Sequence, residues 1–215
     1  MTSKEVRARI EETGIIAAIR VNSAEEAVFA AEAVVAGGIP VVEIPFTVPQ
    51  ATTVILHLAK KTPYIVVGAG GVMDTAVARQ CLDAGAQFLT SDGLHTEVVE
   101  FAAREKIVAI PGALTPTEVM HAWRLRSDFV KVVPCAQIGG EIYIGSLHRM
   151  FPHIPLIAAG GVSQQNASKF IFSGATALGI GRELLPPEAL RLRQAGRISN
   201  LARRFLGYVK SGREH

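Results

Sequence analysis

The heptapeptide Asp128-Phe129-Val130-Lys131-Val132-Val133-Pro134 is a nearly unbroken apolar run, closed by a proline and interrupted by one cation. A strand buried on both faces, as in a parallel sheet covered by helices, reads as such a run rather than as an alternation. Side chains alternate along a strand, so Phe129, Lys131 and Val133 fall on one face. At the strand end the lysine can snorkel to water. If it stays buried among apolar neighbours, loss of hydration disfavours the ammonium and leaves an amine usable as a nucleophile. The stretch alone leaves both readings open.

Far upstream, Ile39-Pro40-Val41-Val42-Glu43-Ile44-Pro45-Phe46 repeats the pattern with the opposite sign, Glu43 being the lone charge of an apolar strand. Two lone charges of opposite sign in two buried strands are most economically explained by one shared cavity. Lys131 and Glu43 are therefore the candidate catalytic pair.

Outward from these two strands the chain reads as a regular alternation. A leading helix opens with Thr2 and Glu5 at capping-box spacing, and Gly14 to Arg20 forms a first buried strand ending in a cation. Ser23 and Glu26 make a second box, and that helix runs to Gly37-Gly38 before the Glu43 strand. Further strands are expected over residues 64–67, leading into the loop Gly68-Ala69-Gly70-Gly71, and over 87–90, leading into Ser91-Asp92-Gly93. Others follow over 107–110, over the Lys131 stretch, over 154–158 and over 176–180. Thr115-Pro116-Thr117-Glu118 adds a capping box with proline at the first helical position. Ala36-Gly37-Gly38, Ala84-Gly85-Ala86 and Ser173-Gly174-Ala175 mark helix ends where glycine permits a left-handed turn.

Eight strands alternating with helices, roughly 20 to 25 residues apart, imply an α/β fold. The expected form is a (β/α)8 TIM barrel over residues 1–215 as one domain, with an N-terminal leading helix. A doubly wound open sheet is the alternative. The barrel is preferred because the unusual residues follow strand ends all along the chain, whereas an open sheet gathers its ligand residues at one switch point.

The 215 residues, 49% apolar and 6% aromatic, suit an aliphatic core of this kind, and no run approaches the ~20 apolar residues of a membrane span. No membrane partner is expected. The N-terminal residues carry charges and no apolar signal core, which suggests a cytoplasmic protein, in keeping with two isolated cysteines, Cys81 and Cys135. The net charge of +3 comes with arginines crowded beyond residue 190, but without interleaved aromatics these read as a solvated helix face, and no nucleic-acid partner is expected. Histidines at 57, 95, 121, 148, 153 and 215 lack ligand spacing, so neither a metal nor any other cofactor is expected.

In a barrel the C-terminal strand ends share one pocket. This places Arg20, Glu43, the Gly68–Gly71 loop, Ser91, Lys131, the Gly160-Gly161 turn and the Gly181-Arg182 turn together. Gly160-Gly161-Val162-Ser163 and Gly179-Ile180-Gly181-Arg182 follow the last two strands, where barrels commonly hold phosphate on backbone N–H groups.

The same residues carry a resemblance. Ala18-Ile19-Arg20-Val21-Asn22-Ser23, Val42-Glu43-Ile44-Pro45-Phe46-Thr47-Val48-Pro49, Gly68-Ala69-Gly70, Pro111-Gly112 with Thr115 to Glu118, Val130-Lys131-Val132-Val133-Pro134 and Gly160-Gly161-Val162 occur in order. Together they resemble the 2-keto-3-deoxy-6-phosphogluconate / 4-hydroxy-2-oxoglutarate aldolase family over nearly the whole chain. The resemblance implies a homotrimeric Schiff-base aldolase acting on a 2-keto acid, expected to be phosphorylated. In it, Lys131 forms the imine with the pyruvyl carbonyl and Glu43 relays protons through water. It also brings Thr47, Gly70, Gly71, Pro134 and Val162 into the expected substrate-binding set, beside Arg20, Ser91, Gly160, Gly161, Gly181 and Arg182.

The chain departs from the family pattern at several points. Many members read Gly-Ala-Gly-Thr where Gly71 stands, Ser-Pro where Ser91-Asp92 stands, and Pro-Thr-Gly-Gly where Ala158-Ala159-Gly160-Gly161 stands. A family arginine is replaced by Thr47. Gly71 and Ala159 offer no hydroxyl to a substrate carboxylate, which leaves Arg20 for that role, with Arg182 beside the phosphate turn. The expected reaction is reversible retro-aldol cleavage of a 2-keto-4-hydroxy acid to pyruvate and an aldehyde. The alternatives are a sugar-phosphate isomerase or epimerase using Glu43 as base, and a non-catalytic sugar-phosphate binder.

Overall fold

The computed structural model describes residues 1–62 and 64–214; His215, one of the scattered histidines, lies outside them. Among the described residues, nine parallel strands form one sheet that curls into a nearly closed barrel. They are β1 (Ile15–Ala18), β2 (Val41–Pro45), β3 (Val66–Gly70), β4 (Phe88–Thr90), β5 (Val108–Ile110), β6 (Gly112–Ala113), β7 (Val130–Val132), β8 (Leu156–Ala159) and β9 (Ala175–Ile180). Their order is β5-β4-β3-β2-β1-β9-β8-β7-β6. The two outermost strands are consecutive in the chain and separated only by Pro111, so the sheet joins onto itself there.

The eight expected strands become nine for that reason. Pro111 has no N–H to continue a ladder, and the fifth strand changes partner at it. Phe88 to Thr90 pair with Val108 to Ile110 before it, while Gly112 and Ala113 pair with Lys131 and Val132 after it. The Pro111 carbonyl still accepts from Lys131 N at 2.9 Å, which closes the seam.

Helices alternate with the strands on the outside: α2 (Ala24–Ala36), α3 (Ala51–Lys61), α4 (Thr75–Asp83), α5 (Thr96–Glu105), α6 (Pro116–Arg124), α7 (Gly140–Met150) and α8 (Ala167–Phe172), then α9 (Pro187–Arg191) and the long α10 (Ala195–Arg213). The leading helix α1 (Ser3–Thr13) has its reciprocal capping box between Thr2 and Glu5, and α6 has the same between Thr115 and Glu118. At α2 only half of the expected box forms. Ser23 accepts from Glu26 N, but the Glu26 carboxylate takes Asn22 N at 3.2 Å, one residue further back.

Outward-facing strand residues such as Val42, Val67, Val130, Val132 and Leu178 join the main core beneath the helices. Inward-facing residues form a separate cluster: Ile16, Val41, Val66, Phe88, Val108, Ile110, Phe129, Ile157 and Ala177, with Val6 and Ile10 of α1. Helix α1 thus plugs the N-terminal mouth, with the Arg7 guanidinium over the Phe129 ring at 5.6 Å from its centroid. One step further along most strands the inward residues shrink to Ala18, Gly68, Ala159 and Gly179, or carry polar groups: Glu43, Thr90 and Lys131. Large residues fill the lower barrel, and small ones leave the upper barrel open.

Candidate active site

Glu43 is placed by strand register. It lies beside Ala18 of β1 and Gly68 of β3, neither of which projects a long side chain across it. The third strand runs on through Gly70, where the sequence reading had placed a loop from Gly68. The reason lies in the packing. A Cβ on Gly68 would meet the Phe88 ring at 2.4 Å, and one on Gly70 would meet Glu43 Oε1 at 2.3 Å. These glycines make space as strand residues rather than as turn residues. Across that space Thr90 Oγ1 donates to Glu43 Oε2 at 2.8 Å, so the buried carboxylate has one fixed oxygen.

Lys131 projects from β7 into the same cavity, its side chain 7% exposed. The expectation of an ammonium surrounded by apolar neighbours is corrected here. Phe129 lies below it in the apolar layer and Val133 lines the cavity above, but Nζ donates to Asp92 Oδ1 at 2.7 Å. The lysine neither snorkels to bulk water nor lacks a partner. The other Asp92 oxygen lies 3.8 Å from Arg20 Nη2. Burial pushes the Asp92 carboxyl up, but the hydrogen bond and charge of Lys131, with the charge of Arg20, outweigh it and hold the group below its ordinary range.

The cavity is about 540 Å³ and brings together Glu43, Lys131, Arg20, Gly160, Gly161, Val162, Gly181 and Arg182, as the sequence suggested. Gly160 and Gly161 have φ of 80° and 82°, and Cβ atoms there would strike Pro134 and Ala136, so this turn needs glycine twice over. A neighbouring hollow of about 620 Å³, between the Arg182 turn and α10, shares Arg182 and Glu183 but contains neither Lys131 nor Glu43.

Five expected binding residues do not line the cavity. Thr47 is exposed in the turn after β2, and Gly71 is exposed after β3, with φ of 69°. Pro134 is exposed and backs the Gly160 turn instead. Gly70 acts from behind, through Glu43. Ser91 is buried, and its hydroxyl turns away to donate to Gly93 O at 2.7 Å. Conversely, sequence reasoning missed Thr90, Asp92, Gln137 and Glu183 as site residues. Thr90 and Asp92 had a usable signal, a polar residue at the inward end of β4 and an acid just beyond it on the face where barrel sites form.

Residues 6–201 match the family model described as KDPG and KHG aldolase. The KHG/KDPG aldolase of Escherichia coli (strain K12) is 31% identical over 88% of this chain and 89% of its own length. The KDPG aldolase of Legionella pneumophila, whose structure holds pyruvate captured at low pH as a covalent carbinolamine intermediate, superposes with a TM-score of 0.85. It is 26% identical over 92% of this chain and 96% of that one. The 2-keto-3-deoxy-6-phosphogluconate aldolase of Zymomonas mobilis ATCC 29191 gives a TM-score of 0.85 at 27% identity, over 97% and 98% of the two chains.

Proposed function

The chain belongs to the KDPG and KHG aldolase family, and we propose that Lys131 and Glu43 divide its chemistry between them as nucleophile and proton carrier. The enzyme is a class I aldolase that reversibly cleaves a 2-keto-4-hydroxy acid to pyruvate and an aldehyde through a lysine Schiff base. Isomerisation and non-catalytic binding are not favoured, since the relatives are named aldolases.

The observation that carries the assignment of roles is one buried amine and one buried carboxylate facing the same cavity above an apolar plug. Lys131 first passes its extra proton, through water, to the Glu43 carboxylate in the same cavity, and the neutral amine attacks the 2-keto carbon. A proton moves from nitrogen to oxygen to give a carbinolamine, whose hydroxyl leaves as water on taking a proton from Glu43. The resulting iminium draws electrons from the C3–C4 bond as Glu43, now a carboxylate, removes the C4 hydroxyl proton. The aldehyde departs, leaving an enamine. Return of that proton to C3 and hydrolysis of the imine release pyruvate.

For the substrate's ends, Arg20 takes the carboxylate, while the Gly160-Gly161 and Gly181-Arg182 turns take a terminal phosphate. That all of them line the cavity holding Lys131 and Glu43 supports this. Family resemblance supports a homotrimer in the cytoplasm, for which light scattering on the purified protein is the test. The roles are tested by pyruvate release from 2-keto-3-deoxy-6-phosphogluconate. Lys131→Ala should abolish it, and Glu43→Gln should lower kcat by about 10²-fold or more while KM changes little. A Glu43→Gln enzyme with ordinary kcat would reduce Glu43 to a structural charge.

A further inference from the structure

We propose that Asp92 is a second catalytic carboxylate of this enzyme, the counter-ion of the Lys131 nitrogen from resting ammonium to protonated imine, and that it competes with the substrate carboxylate for Arg20. The inference rests on Lys131 being the imine-forming lysine.

Asp92 touches the reacting atom itself, at 2.7 Å, and reaches Arg20 with its other oxygen. Its backbone is built into place. Ser91 Oγ and Gly112 N both donate to Gly93 O, at 2.7 and 3.2 Å, and Ser91 N donates to Ile110 O. Gly112 is the strand partner of Lys131, and a Cβ there would lie 2.3 Å from the Asp92 carbonyl carbon. The absence of a side chain at 112 therefore lets the Asp92 loop settle over the lysine. Held below its ordinary range by Lys131 and Arg20 against the effect of burial, the carboxyl stays ionised at neutral pH.

The charged groups facing Lys131 are Glu43 from β2, Asp92 after β4, Arg20 after β1, and Arg182 and Glu183 after β9. Of these, Asp92 is the one hydrogen-bonded to Nζ among the described residues. In the free enzyme it stabilises the ammonium, whose proton passes through water to Glu43 before attack. After the carbinolamine loses water, the nitrogen is positive again with one N–H, and Asp92 accepts that hydrogen bond. Because the same carboxylate already neutralises Arg20, an incoming 2-keto acid must displace it there.

The test compares wild type, Asp92→Asn, Asp92→Ala and Asp92→Glu in kcat and KM for 2-keto-3-deoxy-6-phosphogluconate. The Asp92 side chain is 56% exposed, so these changes leave the core intact. In Asp92→Asn and Asp92→Ala the nitrogen has lost its anionic partner and Arg20 its neighbouring carboxylate. KM falls severalfold as Arg20 is freed, and kcat falls about tenfold as the iminium loses its counter-ion; Asp92→Glu regains part of kcat. An unchanged kcat in both neutral variants overturns the proposal. Borohydride with pyruvate on the same preparations separates the two levels. If wild type does not trap at Lys131, the imine assignment fails; if wild type traps and kcat is unchanged in both neutral variants, only the role of Asp92 fails.

Discussion

Thr90 Oγ1 donates to Glu43 Oε2 at 2.8 Å, a bond between β4 and β2 that passes over β3. It has room because β3 is glycine at 70, where a Cβ would lie 2.3 Å from Glu43 Oε1. A hydrogen bond to a charged group is worth about 1.5–3 kcal/mol. Thr90→Val, which keeps the shape and removes the donor, should lower kcat by roughly ten- to a hundredfold with the fold unchanged by circular dichroism. A kcat at the wild-type value would show that the hydroxyl does not orient the carboxylate.

The two glycines of β3 should fail in different ways. A methyl at Gly70 meets the movable end of Glu43, whereas one at Gly68 meets a fixed aromatic ring in the interior cluster. Gly70→Ala should therefore lose activity, by about tenfold or more for a displaced acid–base group, with little change in melting temperature. Gly68→Ala should lose about 1–3 kcal/mol of stability by overpacking. Denaturant titrations beside kcat values distinguish them, and the reverse pattern would contradict this account of the cavity.

The two positions that lack the family's threonines are unequal in structure. Ala159 lines the cavity beside Gly179, its strand partner. Gly71 is exposed, with φ of 69°, a conformation that costs a β-branched residue about 1–2 kcal/mol or more. Ala159→Thr alone should raise kcat/KM for the phosphorylated 2-keto-3-deoxy acid, while Gly71→Thr should chiefly destabilise. Steady-state kinetics and melting curves of the two single variants decide this, with a gain from Gly71→Thr and none from Ala159→Thr as the contrary result.

Burial pushes the Cys81 thiol up to about 11 and the Cys135 thiol up to about 12. At pH 8 at most roughly a thousandth of either is thiolate, the reactive form. Iodoacetamide should label neither cysteine in the folded enzyme and both after denaturation, read by mass. Rapid labelling of Cys135, which follows the Lys131 strand, would mean that this side of the cavity opens far more than its packing indicates.

The barrel was legible because each inward run ends in a residue that an apolar strand does not call for by itself. Lys131 and Glu43 announced themselves as charges in such runs, and the Gly160 and Gly181 turns as glycine pairs after strands. Thr90 was hidden because a threonine is ordinary in a strand; only the register that sets it over Gly68 and Gly70 gives it Glu43 as a partner. Asp92 was visible as an acid in a loop, but its meeting with Lys131 depends on Gly112 and on the partner exchange at Pro111, contacts far apart in the chain. Ser91 and Thr47 sit at strand ends yet point elsewhere, since position after a strand does not determine side-chain direction.

The most direct test of the account is intact and peptide mass after incubation with pyruvate and borohydride. The account predicts one reduced pyruvyl group per chain, located on Lys131 and absent from Lys131→Ala. Addition at another lysine, or no addition with pyruvate, would contradict it.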